Sequence, residues 1–459
     1  MERAKNKILG YLPNDYPGFW KSVLLGLQHV ITMFPATVLV ALLVGFHVST
    51  VLLASGVATL VALILSKWGI GKFIPLYYGS SFSYIAATIA ITNASYGVPA
   101  SDEFIRMAQA GIIVTGAVNI AFGALIKALG GKKAIDKVLP PIITGSVACV
   151  IGFALGFEAL KMSLGNCCGL NGEPSWILVS LVTMISTMLF SKYLRGKGFI
   201  GMLPILLGAI VGYVVAIPLG LTNFSAITDA PLFVMPHITM PLFTGAMSMT
   251  AIISIAVMAI ATIPESTAHL YQISLYVDEL ARELKKNTYN LDDHIGFNLV
   301  LDGIGDALNG LIGGVAGTNY GENNSLMAIT RNYSGISLIA ASLIAILLAF
   351  SGKLVGIVYS VPTAVSGGLA IYLFGVIGMQ GISLMIHKKV DLFDPGQLAV
   401  GAAIFIVGIG GHIGFPGGFL PIPLLQNIFP SGWPAIATAA VLGILLNLIF
   451  TLLPSKSVE

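Results

Sequence analysis

A succession of long apolar runs is the feature that most constrains how this chain can fold. A helix needs ~20 apolar residues to cross the hydrocarbon core of a bilayer. Only 9% of the 459 residues are charged, against about 25% in a soluble domain. The sequence therefore predicts an all-α polytopic membrane protein with fourteen transmembrane segments, and argues against a water-soluble enzyme. The apolar runs fall at about residues 19–45, 47–66, 79–92, 105–129, 138–160, 175–191, 199–217, 246–275, 294–313, 319–331, 335–351, 358–386, 394–411 and 432–452.

The distribution of basic residues predicts how these segments are oriented. An even number of segments puts both termini on one side of the membrane, and the side richer in Lys and Arg is the cytoplasmic one. With the N-terminal MERAKNK inside, only Arg106, Lys161 and Lys353 of the 23 Lys and Arg residues fall outside. We therefore expect both termini in the cytoplasm. The polar start, followed by a full-length segment without a cleavage site, predicts no removable signal peptide.

Similar residues recur in the same order in the two halves of the chain. His29 and His269 lie 240 residues apart in segments one and eight, and a Tyr-Gly pair opens segment three at Tyr78 and segment ten at Tyr320. Residues that recur in the same order at a nearly constant offset indicate a duplicated unit. We predict repeats of seven segments each, at residues 1–230 and 231–459. Since seven is odd, the second repeat must be inverted in the membrane.

Segments three and ten are conspicuously short and occupy corresponding positions in the two repeats. The sequences IPLYYGSSFSYI and GTNYGENNSLMAI each fit a short strand followed by a half-helix. Two such strands can pair with each other where lipid could not satisfy their backbone groups. Paired broken segments of inverted repeats are where secondary transporters bind substrate. We predict the binding site there.

Several other classes of function and site are disfavoured. No GxxxxGK[ST] sequence for ATP binding occurs, so an ion or substrate gradient must supply the energy. The net charge of +3 is too balanced to indicate a nucleic-acid partner. Cys149, Cys167 and Cys168 match no zinc-ligand spacing, and adjacent cysteines rarely bond to each other. We expect no metal and no cofactor.

Ionisable residues inside apolar segments are costly and are each a functional hypothesis. Glu265 and His269 lie one helical turn apart in segment eight, where they can share a proton or form a mutually satisfied structural pair. Glu322 lies at the break of segment ten, where it can face segment three or cap its own half-helix.

Three further ionisable residues are candidates for a supporting role. His29 can hydrogen-bond the carboxyl cluster or simply join two helices. Asp302 and Asp306, one turn apart in segment nine, can orient segment eight or ten; capping and solvation near the inner end is the other interpretation for Asp306.

The chemistry of the two glutamates predicts the kind of ligand. Carboxylates accept hydrogen bonds from N–H donors, while nearby backbone N–H groups satisfy ring carbonyls. A planar cyclic imide or amide has that alternating edge, and Phe82, Tyr84 and Tyr320 can stack on its face.

Four stretches, GLQHVITMFPATVLVALL, YYGSSFSYI, IPESTAHL and YGENNSLMAITR, together resemble the nucleobase-ascorbate transporter (nucleobase:cation symporter-2) family, and its uracil permease branch in particular. The resemblance covers nearly the whole chain. It implies a core of segments 1–4 and 8–11, a gate of segments 5–7 and 12–14, and a homodimer. The implied function is proton-coupled import of uracil across the cytoplasmic (inner) membrane.

The resemblance also implies roles for individual residues. Glu265 and Glu322 would bind the base and Phe82, Tyr320, Gly321 and Asn323 would line the site, while His269, with Glu265, His29 and Asp302, would couple transport to protons. Ser325 stands where the family has Gly, and Phe374 where uracil permeases usually have Tyr. Xanthine or urate transport, and an anion exchanger or channel on the same fold, stay open as alternatives.

Overall fold

A computed structural model describes residues 10–166, 169, 172–194, 203–423 and 432–453 of the chain. Cys167, Cys168 and the terminal basic residues counted for orientation lie outside these ranges. Within them the chain is mostly helical, and ten helices are long and apolar enough to cross a membrane. Helices α1 to α9 span Phe19–Val44, Val48–Ile70, Ile85–Thr92, Asp102–Ala128, Lys132–Val138, Pro141–Ser163, Pro174–Tyr193, Pro204–Ala216 and Ser225–Thr228. Helices α10 to α19 span Ala246–Ala256, Ala259–Glu283, Ile295–Ile312, Gly321–Thr330, Gly335–Leu348, Gly352–Ser360, Thr363–His387, Pro395–Phe405, Gly411–Gly414 and Ala435–Leu452.

The predicted runs correspond to these helices, with local differences. Segment eight is divided into α10 and α11 at Val257–Met258 and continues to Glu283, beyond the predicted end at 275. A π-helical turn at Ile406–Gly410 joins α17 to α18. A second strand pair, Phe419–Leu420 with Trp433–Pro434, was not predicted, because two-residue strands leave no periodic signal in the sequence.

The predicted strands at the two broken segments are present and paired. β1 (Tyr78–Ser80) runs antiparallel to β2 (Gly317–Asn319), with Gly79 opposite Thr318. All six residues are buried, so each strand supplies hydrogen-bond partners that lipid could not. A side chain at Gly79 would lie 2.4 Å from the ring of Tyr320, so only glycine fits there. A 3-10 turn and α3 follow β1, and α13 follows β2.

Small residues allow the longest helices to pack closely. A Cβ atom on Gly116 of α4 would lie 2.5 Å from the Gly303 carbonyl oxygen of α12, and one on Gly152 of α6 would lie 2.3 Å from the Gly378 nitrogen of α16. Close backbone contact of this kind is how membrane helices gain dispersion energy without a hydrophobic driving force. The other extensive helix contacts are α1 and α2 with α14, α2 with α12, α4 with α10, α7 with α8 and α16, and α17 with α19.

Candidate functional site

A cavity of about 710 Å³ lies where the strand pair, α11, α13 and α16 meet. Its volume suits a small organic ligand. The cavity brings together most of the residues predicted to bind substrate, and it includes the predicted proton-linked histidine. These lining residues are Phe82, Glu265, His269, Tyr320, Gly321 and Glu322.

Glu265 faces this cavity from the middle of α11. Its Oε2 accepts hydrogen bonds from Ser81 Oγ at 3.3 Å and Ser83 Oγ at 3.1 Å, both from the segment that follows β1. Among the residues that the structure describes, none donates to Oε1. The carboxyl is therefore oriented from one side and keeps an acceptor for a ligand.

Glu322 approaches the same cavity from the first turn of α13. It is half-buried, and its carboxyl accepts no hydrogen bond from another residue in the described part of the chain. It also lines a second cavity of about 400 Å³ between α1, α8, α13 and α16, together with Ser325. The first N–H groups of a helix have no partner within it and carry a partial positive charge. The start of α13 thus offers both acceptors and donors.

His269 lies one turn beyond Glu265 on α11. Its Nδ1 is buried and lacks a hydrogen-bond partner among the described residues, as does Thr318 Oγ1 on β2. A Cβ atom at Gly321 would lie 3.0 Å from His269 Nε2 and 3.2 Å from Gln380 Oε1. Glycine at 321 therefore leaves room between the histidine and α16.

Of the three aromatic residues expected to stack on a ligand, Phe82 and Tyr320 line the cavity and Tyr84 does not. The ring of Phe82 contacts Phe374 of α16 edge to face, with centroids 5.2 Å apart. Phe374 is buried behind it and does not line the cavity. The hydroxyl of Tyr320 is hydrogen-bonded to Thr37 Oγ1 at 2.9 Å, and that of Tyr84 to Thr262 Oγ1 at 3.1 Å.

Three of the predicted site residues lie outside the cavity. Asn323 Nδ2 donates to His29 Nδ1 at 3.1 Å and to the His29 carbonyl at 3.2 Å, so these two residues join α13 to α1. Asp302 Oδ2 accepts from Ser266 Oγ and from Asn298 Nδ2 at 3.4 Å. It thereby fixes the residue that follows Glu265.

The surroundings of Asp306 contradict one of its two sequence-based interpretations, that of a solvated capping residue near the inner end of its helix. It is fully buried rather than solvated near a helix end. Its Oδ1 accepts from Tyr78 Oη at 2.7 Å and from the Gly317 N–H at 2.7 Å, and its Oδ2 accepts from Asn119 Nδ2 at 2.9 Å. Asp306 therefore holds both strands of the β1–β2 pair; its contact with β2 fits the predicted orientation of segment ten, and its contact with β1 of segment three was not predicted.

Sequence reasoning missed Gln380, which lines the cavity, and two serines that orient Glu265. Gln380 lines both cavities from α16. A lone glutamine in the apolar run GVIGMQGISL was the available signal, since polar residues inside a membrane segment are functional candidates. Ser81 and Ser83 were quoted within YYGSSFSYI, but nothing in one sequence indicates that their hydroxyls converge on a carboxyl 182 residues away.

Charged residues surround the other end of the cavity. Lys132 of the short helix α5 forms an ion pair with Asp292, which also accepts from Ser274 Oγ at 2.8 Å. Burial raises the pKa of Asp292, but the hydrogen bonds from Lys132 and Ser274 outweigh it and leave that pKa below its usual value. Arg282 and Lys388 also line this end, which is therefore rich in basic residues.

Comparisons with known proteins agree with the motifs. Residues 20–417 match the family described as Permease family. The uracil permease of Bacillus caldolyticus is 34% identical over 95% of this chain and 93% of its own length. The uracil permeases of Bacillus subtilis strain 168 and Escherichia coli K12 are each 32% identical, over 97% and 96% of this chain and 96% and 94% of their own lengths.

Solved structures share the fold at low sequence identity. The transmembrane domain of the cyanobacterial bicarbonate transporter BicA is 15% identical, with a TM-score of 0.58 over 96% of this chain and 100% of that chain. The murine anion transporter Slc26a9, in its inward-facing state, is 12% identical, with a TM-score of 0.57 over 98% of this chain and 73% of that one. The multi-pass helical fold, the profile match and the identity over nearly the full length confirm the resemblance found in the sequence. The chain belongs to the nucleobase:cation symporter-2 family of permeases.

Proposed function

We propose that the protein is a proton-coupled symporter that imports a neutral nucleobase, uracil, across the cytoplasmic membrane. The observation that carries this proposal is that Glu265 and Glu322, from different helices, line one cavity of about 710 Å³ inside the apolar body of the protein. The names of the relatives at 32–34% identity support uracil as the substrate.

The recognition chemistry follows from the donors and acceptors of the ring. Uracil has two N–H donors, which Glu265 Oε1 and the Glu322 carboxylate can accept. Its two carbonyls can accept from backbone N–H groups at the start of α13, at Gly321 and Glu322. Phe82 packs against the ring face, and Tyr320 shapes the wall. Asn323 contributes by holding α13 against α1 through His29.

Proton coupling is assigned to Glu265 and His269. Both line the cavity, lie one turn apart, and retain atoms without protein partners among the described residues. A proton on this pair changes the charge that the ligand meets, so ligand and proton bind as linked events. Asp302 acts through Ser266, and His29 through Asn323, to orient the pair and α13.

The proposed architecture is fourteen segments in two inverted repeats, at residues 1–230 and 231–459. Helix contacts support it, because contacts in one repeat recur at the equivalent positions of the other. Segment four packs on segment nine (α4 with α12), and the equivalent segments eleven and two also pack together (α14 with α2). Likewise, segments six and seven are in contact (α7 with α8), as are the equivalent segments thirteen and fourteen (α17 with α19). Segments 1–4 and 8–11 form the core, and segments 5–7 and 12–14 form the gate. Both termini lie in the cytoplasm, the cavity opens inward, and two copies form a homodimer.

The two alternatives are less well supported. The solved bicarbonate and anion transporters are similar in fold alone, and two acidic groups at one cavity would repel an anion. A xanthine or urate permease would be an exception among relatives whose names specify uracil.

Uptake of radiolabelled uracil by cells that express the protein tests the proposal. We expect uptake that excess unlabelled uracil blocks, that xanthine and urate do not block, and that a protonophore abolishes. Uptake that persists at full rate with the protonophore would contradict proton coupling. Strong competition by xanthine or urate would contradict the choice of substrate.

Glu322→Gln tests the site within the same assay. The amide replaces a charged acceptor by a neutral group that also donates, so uracil uptake should fall about tenfold or more, since a hydrogen bond to a charged group contributes roughly 1.5–3 kcal/mol. Glu279→Gln, a change to an α11 glutamate that does not line the cavity, is the matched control. Equal uptake by Glu322→Gln and wild type would remove Glu322 from the site.

A further inference from the structure

A cluster of two histidines and one aspartate lies on the face opposite the lysine-rich segments. His47 precedes α2, Asp102 begins α4, and His237 lies in the loop that joins the two halves of the chain. One ligand atom from each residue can be chosen so that the three atoms lie within 4.8 Å of one another. His237 Nε2 lies 2.9 Å and 3.1 Å from the two Asp102 carboxylate oxygens, and the rings of His47 and His237 are 4.5 Å apart.

The backbone around the cluster is fixed by hydrogen bonds from neighbouring elements. Thr50 Oγ1 of α2 donates to the His237 carbonyl at 2.9 Å. Gln109 of α4 donates to the Thr239 carbonyl at 2.8 Å and accepts from the Thr239 hydroxyl at 2.6 Å. The segment before α4 is joined to the end of α1, where the Ala100 N–H donates to the Gly45 carbonyl at 2.8 Å. Three distant parts of the chain are thus held with their side chains converging.

The donor set suits a particular class of ion. Imidazole nitrogen together with carboxylate oxygen favours Zn²⁺ and its first-row neighbours over Mg²⁺ and Ca²⁺, which prefer oxygen ligands. Bonds of about 2.0–2.2 Å in a tetrahedral site place ligand atoms about 3.3 Å apart. The His237 to Asp102 separations of 2.9 Å and 3.1 Å are those of a hydrogen bond and lie close to that spacing, so a bound ion would replace this hydrogen bond; one atom from each of the three residues lies within 4.8 Å of the other two. Three protein ligands leave the fourth position to water.

We propose that His47, Asp102 and His237 form a binding site for a divalent transition-metal ion of the Zn²⁺ class. The site is distinct from the cavity that holds Glu265 and Glu322, because none of its three residues lines that cavity. A bound ion joins the loop between the repeats to the ends of α2 and α4.

Zinc affinity of the purified full-length protein, measured without a polyhistidine tag by competition with a chromogenic zinc chelator, tests the site. We expect His47→Ala, Asp102→Asn and His237→Ala each to weaken binding by about tenfold or more, since even residues behind the ligands change affinity by that factor. Two matched controls should bind as the wild type does. Glu103→Gln removes the neighbouring charge on α4, and His294→Ala removes a histidine outside the cluster.

The spectrum of bound Co²⁺ is a second readout that needs no folded variant. Wild-type protein should give the strong visible absorption of tetrahedral Co²⁺, and Zn²⁺ should displace it. Zn²⁺ should also raise the unfolding temperature of the wild type but not of the His47→Ala/His237→Ala double variant. The proposal is overturned if wild-type protein gives only the weak spectrum of hydrated Co²⁺, if the double variant binds zinc as tightly as wild type, or if the controls weaken binding as much as Asp102→Asn.

Discussion

Two pairs of acidic residues lie next to the β1–β2 strand pair, and their surroundings differ. Asp302 and Asp306 accept hydrogen bonds from several named donors and do not line the cavity. Glu265 accepts hydrogen bonds at one oxygen only, and Glu322 accepts none from another described residue. We therefore expect a structural role for the two aspartates, whose acceptors are filled, and a binding role for the two glutamates, which have acceptors left over.

The largest expected effect is that of Asp306→Ala on folding. The change leaves the Gly317 N–H and Asn119 Nδ2 without their acceptor, at roughly 1–3 kcal/mol for each unsatisfied group, and leaves Tyr78 Oη with only the Asp302 carbonyl, 3.1 Å away. We expect a large fall in unfolding temperature and in the yield of monodisperse protein. Asp306→Asn keeps one acceptor oxygen, so its unfolding temperature should lie between those of Asp306→Ala and the wild type. A wild-type unfolding temperature for Asp306→Ala would contradict a structural role.

Glu265→Ala should have the opposite profile, with binding weakened much more than stability. Loss of a charged acceptor at about 2 kcal/mol corresponds to roughly thirtyfold weaker uracil binding, measured by scintillation proximity or calorimetry. Glu283→Ala changes a glutamate at the far end of α11 and is the matched control, because its partner Arg331 is outside the cavity. Unchanged binding in Glu265→Ala would move Glu265 into the structural group.

Ser81→Ala and Ser83→Ala should give intermediate effects. Each removes one hydroxyl that orients Glu265 Oε2, worth about 0.5–1.5 kcal/mol, so uracil binding should weaken roughly twofold to tenfold. The hydroxyl of Ser342 donates a hydrogen bond within its own helix, so Ser342→Ala controls for the loss of a buried hydroxyl. Full-strength binding in the Ser81→Ala/Ser83→Ala double variant would show that Glu265 needs no orientation.

The smallest effect is expected at the charged end of the cavity, for Asp292→Asn. The ion pair with Lys132 is partly exposed, so we expect a loss of less than about 1 kcal/mol that shrinks further in high salt. Because folding lowers the pKa of Asp292, its contribution is present above the ordinary carboxylate range and is lost as pH falls through the lowered pKa.

The measurement for this prediction is the difference in unfolding temperature between wild type and Asp292→Asn as a function of pH. That difference should stay constant from neutral pH down to the ordinary carboxylate range and disappear below it. Asp293→Asn, at a neighbour outside the ion pair, is the control. A difference that grows on acidification would contradict the assigned sign.

Much of the fold could be predicted from the sequence because membrane segments and broken segments have local signals. Apolar length located the helices, and Tyr-Gly pairs with short runs located β1 and β2. Helical spacing placed Glu265 and His269 on one face, where both line the cavity. The roles of these residues in transport stay predictions.

The rest depended on contacts between distant parts of the chain. Asp302 and Asp306 lie one turn apart on α12 and have similar neighbours in sequence. Asp306 nevertheless holds the two strands, whereas Asp302 holds Ser266. Nothing in the sequence around Asn323 indicates whether its side chain faces the cavity or is hydrogen-bonded to His29. Hydrogen-bond partners across 187 or 294 residues are set by packing and have no period to detect.

The strand pair also has a mechanical consequence. Glu265 is oriented by the segment that continues β1, and Glu322 begins the helix that continues β2, so both acids belong to one hydrogen-bonded body centred on six residues. We therefore expect the strand pair to keep the distance between the two acids nearly constant. If transport proceeds as proposed, we expect this hydrogen-bonded unit to move as one piece relative to α16, which carries Gln380 on the cavity wall, so that the two acids present the same geometry to either side of the membrane.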